Sequence, residues 1–235
     1  MTSSNPSSQP DLPERPRGVP MPIFYAVLAL ITIGGVALLM NNLGVLRESA
    51  LADQRGRSYT TTLPLDSLPA RGSPDAPVTV IEFADYDCPD CQLFANQIAP
   101  AILRDFVDTG KARLLFHDNP LKRHVGSVPA AEAARCAGDQ GAYWQMHDAL
   151  YANLGEWRES AAPGALFAGY AEQLGLDRAA FERCTGARTH QAAVQAAYEA
   201  AVRAGVTSTP IFVIDGKPYN YNQLRGGIEA ALAAR

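Results

Sequence analysis

Cys88 and Cys91 are separated by two residues and lie where an apolar run leads into a predicted helix. This spacing brings both sulfurs within reach of a disulfide bond across the first helical turn. The Cys88 sulfur would face the unpaired backbone N–H groups of the helix N-terminus, which stabilise a thiolate and lower its pKa. Pro89 suits this turn, where its missing N–H costs nothing. The pattern therefore predicts thiol–disulfide exchange at Cys88-Pro89-Asp90-Cys91.

Two other interpretations of the cysteine pair remain open from spacing alone. The pair could be half of a zinc site, but such a site needs four ligands, and the sequence has no second Cys-x-x-Cys or closely spaced His pair. The pair could also be an inert structural disulfide. We predict no bound metal and no cofactor.

The elements predicted around the motif alternate between strands and helices. The strands cover 78–83, 112–117 and 210–214, and a turn at Asp215-Gly216 leads into 217–219; helices cover about 85–109, several segments of 129–204, and about 223–234. This order predicts an α/β domain at 72–235 with a helical insertion over about 125–204.

The first 71 residues do not have the composition of a folded domain. Residues 1–22 are rich in Pro, Ser and Asn and are predicted to be a disordered tail. Residues 23–46 are uncharged and long enough to cross a hydrocarbon core of about 30 Å, so we predict a single transmembrane anchor. The alternatives are a buried core helix or a signal peptide cleaved near Ala50-Leu51-Ala52. Residues 47–71 are predicted to be a linker.

Charge restricts the partners without fixing the orientation in the membrane. The net charge is −4, so no general basic field would attract nucleic acid. Arginines flank the predicted anchor on both sides, and their number does not decide which side faces the cytoplasm. We expect the domain to lie outside the cytoplasm because of its cysteine chemistry.

Three segments resemble the DsbA-like proteins of the thioredoxin superfamily. They are residues 80–91 (VIEFADYDCPDC), residues 134–141 (ARCAGDQG) leading to Trp144 and His147-Asp148, and residues 205–210 (GVTSTP). The matches follow in the order of that family over about 72–235. The resemblance implies a thioredoxin fold with a helical insertion.

The resemblance also implies roles for residues at and beneath the motif. Cys88 would be the exposed, reacting sulfur and Cys91 its buried partner. Glu82 would be a buried acid with a raised pKa that relays protons to Cys91. An acid at a strand edge that faces water is the alternative for Glu82.

Two further features are expected from the same resemblance. Thr209-Pro210 matches the cis-proline that lies against the cysteine pair and helps to bind an extended substrate. Cys136 and Cys184 would form a structural disulfide in the helical insertion; two buried free thiols are the alternative.

The implied function is the oxidation of cysteine pairs in exported proteins, with reoxidation by a membrane quinone reductase of the DsbB or vitamin-K-epoxide-reductase type. One residue, Asp90, argues against the oxidising direction of the reaction. The negative charge of Asp90 should oppose the Cys88 thiolate and raise its pKa, which would make the disulfide less oxidising. A disulfide reductase or isomerase is therefore an alternative, followed by a metal-delivery module and a non-enzymatic interaction domain.

Overall fold

The computed structural model describes residues 65–235 and, further upstream, Tyr25, Leu30, Thr32, Gly34 and Gly35. The tail predicted over 1–22, nearly all of the anchor predicted over 23–46, and the linker predicted over 47–71 up to residue 64 lie outside the described residues. Among the residues that are described, no helix combines the length and apolar character needed to span a membrane.

A twisted sheet of five strands forms the centre of the described domain, in the order β1-β3-β2-β4-β5. The strands are β1 (Ala70–Arg71), β2 (Val78–Ala84), β3 (Ala112–Asp118), β4 (Ile211–Ile214) and β5 (Lys217–Tyr219). β2 pairs in parallel with β3 and antiparallel with β4. β2 is buried along nearly its whole length, which explains its continuous apolar run.

Both edges of this sheet are short. β1 contributes two residues, which pair antiparallel with β3 at Leu114 and Leu115. β5 contributes three residues, and its middle residue is Pro218, which has no N–H to donate.

The helix that follows β2 carries the cysteine motif and contains two π-helical segments. It runs through α1 (Pro89–Leu93), a π-helical segment (Phe94–Ile98), α2 (Ala99–Ile102) and a second π-helical segment (Leu103–Val107). It ends before Gly110, whose φ of +71° favours glycine. The sequence predicted the extent of this helix but not its π-helical segments.

The helical insertion lies between β3 and β4 in the chain. It consists of α3 (Ser127–Gly138), α4 (Tyr143–Ala152), α5 (Leu154–Glu159), α6 (Pro163–Gln173), α7 (Arg178–Gly186) and α8 (Gln191–Arg203), and α9 (Leu224–Ala233) closes the chain. The α/β sheet with a helical insertion is thereby confirmed.

Three clusters of buried side chains hold these layers together. One joins the cysteine motif to the insertion through Tyr86, Cys91, Met146 and Trp157. A second packs the helix after the motif and α9 against β2, β3 and β4. A third covers the other face of the sheet, where Phe83 meets residues of α8. The cysteine motif therefore lies where the sheet and the insertion meet.

The domain begins earlier than the sequence predicted. Ala70 and Arg71 were assigned to the linker, but they form β1 and pair with β3. The side chain of Arg71 also forms an ion pair of 2.7 Å with Asp148 of α4. A two-residue strand has no periodicity of its own, so only its pairing partner identifies it.

Candidate active site

Cys88 occupies the N-cap position of α1, at the end of a tight turn after β2. Its backbone is extended, with φ −97° and ψ 121°, and Pro89 begins the helix. Its N–H donates to the carbonyl of Asp85 at 3.1 Å, and its own carbonyl accepts from the N–H of Gln92 at 3.0 Å. This turn directs the Cys88 sulfur toward the unpaired N–H groups of the first helical turn.

The pKa of the Cys88 thiol is lowered to about 6. The largest cause is a hydrogen bond from the Cys91 thiol, which outweighs the opposing effect of burial. The backbone N–H groups of Cys91 and Asp90 lower it further. At neutral pH, Cys88 is therefore mainly a thiolate, the reactive form in disulfide exchange.

Cys91 has the opposite character. It is completely buried, and burial together with the neighbouring Cys88 raises its pKa well above the ordinary value. Both cysteines are buried free thiols; Cys88 is 4% exposed, so the expectation of an exposed sulfur at this position is wrong. The pair thus combines a sulfur that readily carries negative charge with one that holds its proton, and this asymmetry assigns different tasks to the two sulfurs in exchange.

Thr209 and Pro210 lie against the cysteine motif. The peptide bond between them is cis, and the Cys88 thiol donates to the Thr209 carbonyl at 3.5 Å. β4 begins at the next residue, Ile211, which pairs with Phe83 of β2. Pairing of β4 with β2 therefore brings two segments about 120 residues apart to the same sulfur.

Glu82 is 2% exposed, so the alternative of a water-facing acid is wrong. Burial raises the pKa of its carboxyl to about 8, and the nearby Arg71 opposes this rise. The buried Tyr151 hydroxyl has a raised pKa, first because of desolvation and then because of the charges of Cys91 and Glu82. The Tyr151 hydroxyl itself donates to the carbonyl of Asp85 at 3.3 Å, in the turn before Cys88.

The rise in the pKa of Cys88 expected from Asp90 is not observed. Pro89 and Asp90 are both exposed, so water screens the Asp90 carboxylate. The backbone N–H of Asp90 instead donates to the Cys88 sulfur and favours the thiolate. Asp90 therefore stabilises the Cys88 thiolate through its backbone N–H rather than through its side chain.

Sequence reasoning missed the buried carboxylate of Asp85, three residues before Cys88. This side chain accepts hydrogen bonds from the backbone N–H groups of Asp87 and Leu121, both at 2.9 Å. It also binds His124 Nδ1 at 2.7 Å and the hydroxyl of Ser127. A buried carboxylate needs such partners, and here they fix the turn before Cys88 to the segment after β3.

Asp87 is the second buried carboxylate that was missed. Its oxygens accept from Arg158 Nε of α5 at 2.5 Å and from the N–H of Gly126 at 3.0 Å. Arg158 also donates to the carbonyl of Asp87. An Asp-x-Asp pair just before the motif was the only sequence signal of this network, because its partners lie 39 and 71 residues away.

The other two cysteines are bonded to each other. Cys136 of α3 and Cys184 of α7 form a disulfide, with their Cα atoms 5.8 Å apart. Among the described residues, the side chains close enough to share a metal ion are those of Cys136, Cys184 and His190. Since the disulfide consumes both thiols, they cannot act as thiolate ligands.

The thioredoxin family model matches residues 66–234 of the chain. Among curated proteins, an Na(+)/H(+) antiporter NhaA 1 of Salinispora arenicola is 37% identical over 168 residues, which are 69% of this chain and 24% of that protein. Disulfide bond formation protein D of Bacillus subtilis is 38% identical over 101 residues, 42% of this chain and 45% of that protein. The chain thus spans about a quarter of the first relative's length and less than half of the second's.

Two solved structures resemble the described domain. BdbD from Bacillus subtilis has a TM-score of 0.66 at 24% identity, over 74% of this chain and 97% of that one. α-DsbA1 from Wolbachia pipientis has a TM-score of 0.64 at 26% identity, over 75% and 96%. The match of the family model over most of the chain, together with this fold, shows that the chain is a DsbA-like member of the thioredoxin superfamily.

Proposed function

We propose that this chain is a thiol–disulfide oxidoreductase that introduces disulfides into exported proteins. The observation that carries the proposal is the asymmetry of the cysteine pair, with a pKa of about 6 at Cys88 and a strongly raised pKa at Cys91. A Cys88 thiolate is a stable leaving group, so exchange is favoured in the direction that releases reduced enzyme and oxidised substrate.

The first step begins from the Cys88–Cys91 disulfide. A substrate thiolate attacks Cys88 Sγ, forms a mixed disulfide and displaces Cys91 as a thiolate. Because Cys91 is completely buried, its charge is unfavourable and it takes up a proton. Glu82, with a pKa of about 8, is protonated at neutral pH and can supply that proton from within the domain.

The second step completes the transfer. A second thiol of the substrate loses its proton to solvent and attacks the substrate sulfur of the mixed disulfide. Cys88 leaves as a thiolate that is stabilised by the Cys91 thiol and by the N–H groups of α1. The substrate loses two electrons and two protons, and the cysteine pair gains both electrons. Both substrate protons pass to solvent, Cys91 takes its proton from Glu82, and Glu82 regains one from solvent, so that one proton is released overall.

Oxidative refolding tests this proposal. The full-length chain, oxidised and purified in mild detergent, should accelerate disulfide formation in a reduced test protein. Cys88→Ser should lower this rate more than about 1000-fold, to the rate of disulfide formation without enzyme. Cys91→Ser, mixed with a test protein that carries a disulfide, should accumulate a mixed disulfide at Cys88, because no second enzyme thiol can resolve it. Equal rates for wild type and Cys88→Ser would refute the enzymatic function.

The reduction potential of the Cys88–Cys91 pair decides the direction. An oxidase requires a potential well above that of thioredoxin, about −270 mV. A value at or below that level would replace the oxidase with a reductase, the alternative that Asp90 suggested. The same site would then run in reverse, with the Cys88 thiolate attacking a substrate disulfide.

The proposal includes a location outside the cytoplasm, with residues 23–46 as a single-pass anchor and a DsbB-type or vitamin-K-epoxide-reductase-type quinone reductase as the reoxidising partner. It is supported by the uncharged run at 23–46 and by the disulfide between Cys136 and Cys184, which fits an oxidising compartment. A reporter that is active only outside the cytoplasm, fused after Arg235, should be active. Activity only with a reporter specific for the cytoplasm would contradict this location.

A further inference from the structure

The segment between β3 and α3 is held firmly beside the reacting cysteine. In this segment, residues 121–126, the N–H of Leu121 and the ring of His124 bind the Asp85 carboxylate at 2.9 and 2.7 Å. The N–H of Gly126 binds the Asp87 carboxylate at 3.0 Å. The 121–126 loop is thus attached to the residues one and three positions before Cys88.

The side chains that this loop presents to solvent are cationic and apolar. Lys122 and Arg123 are exposed, and Val125 is 92% exposed. Within residues 65–235, neither Lys122 nor Arg123 has an ion-pair partner, whereas most arginines there are paired with a carboxylate (Arg71, Arg104, Arg135, Arg158, Arg178, Arg203, Arg225 and Arg235). These two cations lie next to each other on a loop that is bound to the residues just before Cys88, in a chain of net charge −4.

We propose that the 121–126 loop is a docking surface for an extended segment of the reduced substrate that carries acidic side chains near its reacting cysteine. This inference deepens the proposed function and rests on it. Lys122 and Arg123 would pair with the acidic side chains, and Val125 would contact an apolar neighbour. Charge complementarity of this kind acts mainly on the rate of encounter and on the choice of partner.

The attachment of the loop strengthens this assignment. A flexible loop would lose conformational entropy on binding, which reduces the gain from each contact. Here the hydrogen bonds to Asp85 and Asp87 already order the loop before a substrate arrives. An acidic segment that reaches Cys88 is therefore drawn to the cations without further ordering of the backbone beneath them.

Three peptides with the same reduced cysteine pair test the proposal, with flanking Glu, Gln or Lys. The oxidised full-length chain is mixed with each at low salt, and the second-order rate of Cys88–Cys91 reduction is measured. We expect the Glu peptide to react about tenfold faster than the Lys peptide, with a ratio that shrinks at about 1 M salt. Lys122→Glu/Arg123→Glu should reverse this preference and change the Gln-peptide rate less than about twofold.

A matched control separates local from overall charge. Lys111 and Lys217 are exposed and lie at the other end of the sheet from Cys88, beside the start of β3 and the start of β5. Lys111→Glu/Lys217→Glu changes the net charge by the same amount and should keep the wild-type preference. Circular dichroism of both variants checks that they fold.

The outcomes distinguish this inference from the proposed function. Equal rates for the Glu and Lys peptides in wild type, or an unchanged preference in Lys122→Glu/Arg123→Glu, would overturn the docking surface and leave disulfide exchange intact. A loss of preference in the control variant as well would also overturn it, because overall charge would then be responsible. Failure of all three peptides to reduce the Cys88–Cys91 disulfide would refute the proposed function itself.

Discussion

The domain contains two cysteine pairs with opposite properties. Cys88 and Cys91 are free thiols at the start of one helix, and the pKa of one is lowered while that of the other is raised. Cys136 and Cys184 lie 48 residues apart on two helices and are bonded to each other. Cys88, Cys91 and Cys136 are all buried and Cys184 is half-buried, so low exposure does not mark the structural pair.

The difference arises from what surrounds each sulfur. Cys88 meets backbone N–H groups and a second thiol, both of which stabilise negative charge. Cys136 is packed among apolar side chains of the insertion, where a thiolate would be costly. The comparison teaches that, in this fold, hydrogen-bond donors around Cys88 prepare one pair for exchange, while in the other pair the disulfide bond is formed and the Cys136 sulfur is packed among apolar side chains.

Removing the structural disulfide should give the largest change in stability. Cys136→Ala/Cys184→Ala frees a loop of 48 residues in the unfolded chain, and the chain-entropy estimate is roughly 4 kcal/mol of lost unfolding free energy. Urea denaturation measures this loss, and exchange at Cys88 should change less than about threefold. A large loss of thiol–disulfide exchange in a variant that still folds would show that the two cysteine pairs are coupled and that their properties are not independent.

Glu82→Gln should show that the buried acid beneath the reactive cysteine pair lowers the stability of the domain, whereas the Cys136–Cys184 disulfide raises it. The folded-state pKa of Glu82, about 8, lies above its ordinary value of 4.5, so only the unfolded state ionises between these pH values. Wild-type stability therefore falls as pH rises through this window, by about 1.4 kcal/mol per pH unit.

At pH 7, Glu82→Gln should consequently be more stable than wild type, by about 3 kcal/mol, and at pH 4 the two should be equal. The variant should also react more slowly in the step that protonates Cys91. Denaturation at a series of pH values provides the measurement. A gain that is the same at pH 4 and pH 7 would mean that the ionisation of Glu82 is not its cause.

Arg158→Gln should give the smallest of these effects on the reactive pair, together with a loss of stability because Asp87 is buried. It leaves the buried carboxylate of Asp87 without its cation one residue before Cys88. We expect the pKa of Cys88 to rise from about 6 by about 1 unit, equivalent to about 1.4 kcal/mol. Thiolate absorbance, or alkylation rate against pH, reports the change.

Asp87→Asn/Arg158→Gln serves as the control for that prediction. It removes both charges, so the pKa of Cys88 should return toward the wild-type value if charge is responsible. If the double variant keeps the raised pKa, the hydrogen bonds of Arg158 rather than its charge hold the turn. Either result shows whether Arg158 acts on the pKa of Cys88 through its charge or by holding the turn in place.

The sequence predicted the parts of the site that depend on local chemistry. The strand, Cys-x-x-Cys motif and helix follow from neighbouring residues, and the positions of Glu82 and of Thr209-Pro210 follow from resemblance to a family. The sequence did not predict β1, because Ala70 and Arg71 form a strand only through pairing with β3. It also did not predict the bonds of Asp85 and Asp87 to His124 and Arg158, since these depend on tertiary packing.

The short edges of the sheet have a consequence for a protein that handles incompletely folded chains. An unfolded chain readily adds to an exposed sheet edge through its backbone, and such pairing leads to aggregation. Here β1 offers two residues, and β5 has Pro218 at its centre, which interrupts continuous pairing. A partner chain therefore finds little backbone to extend along either edge, and an encounter with this domain can end in release rather than in a growing sheet.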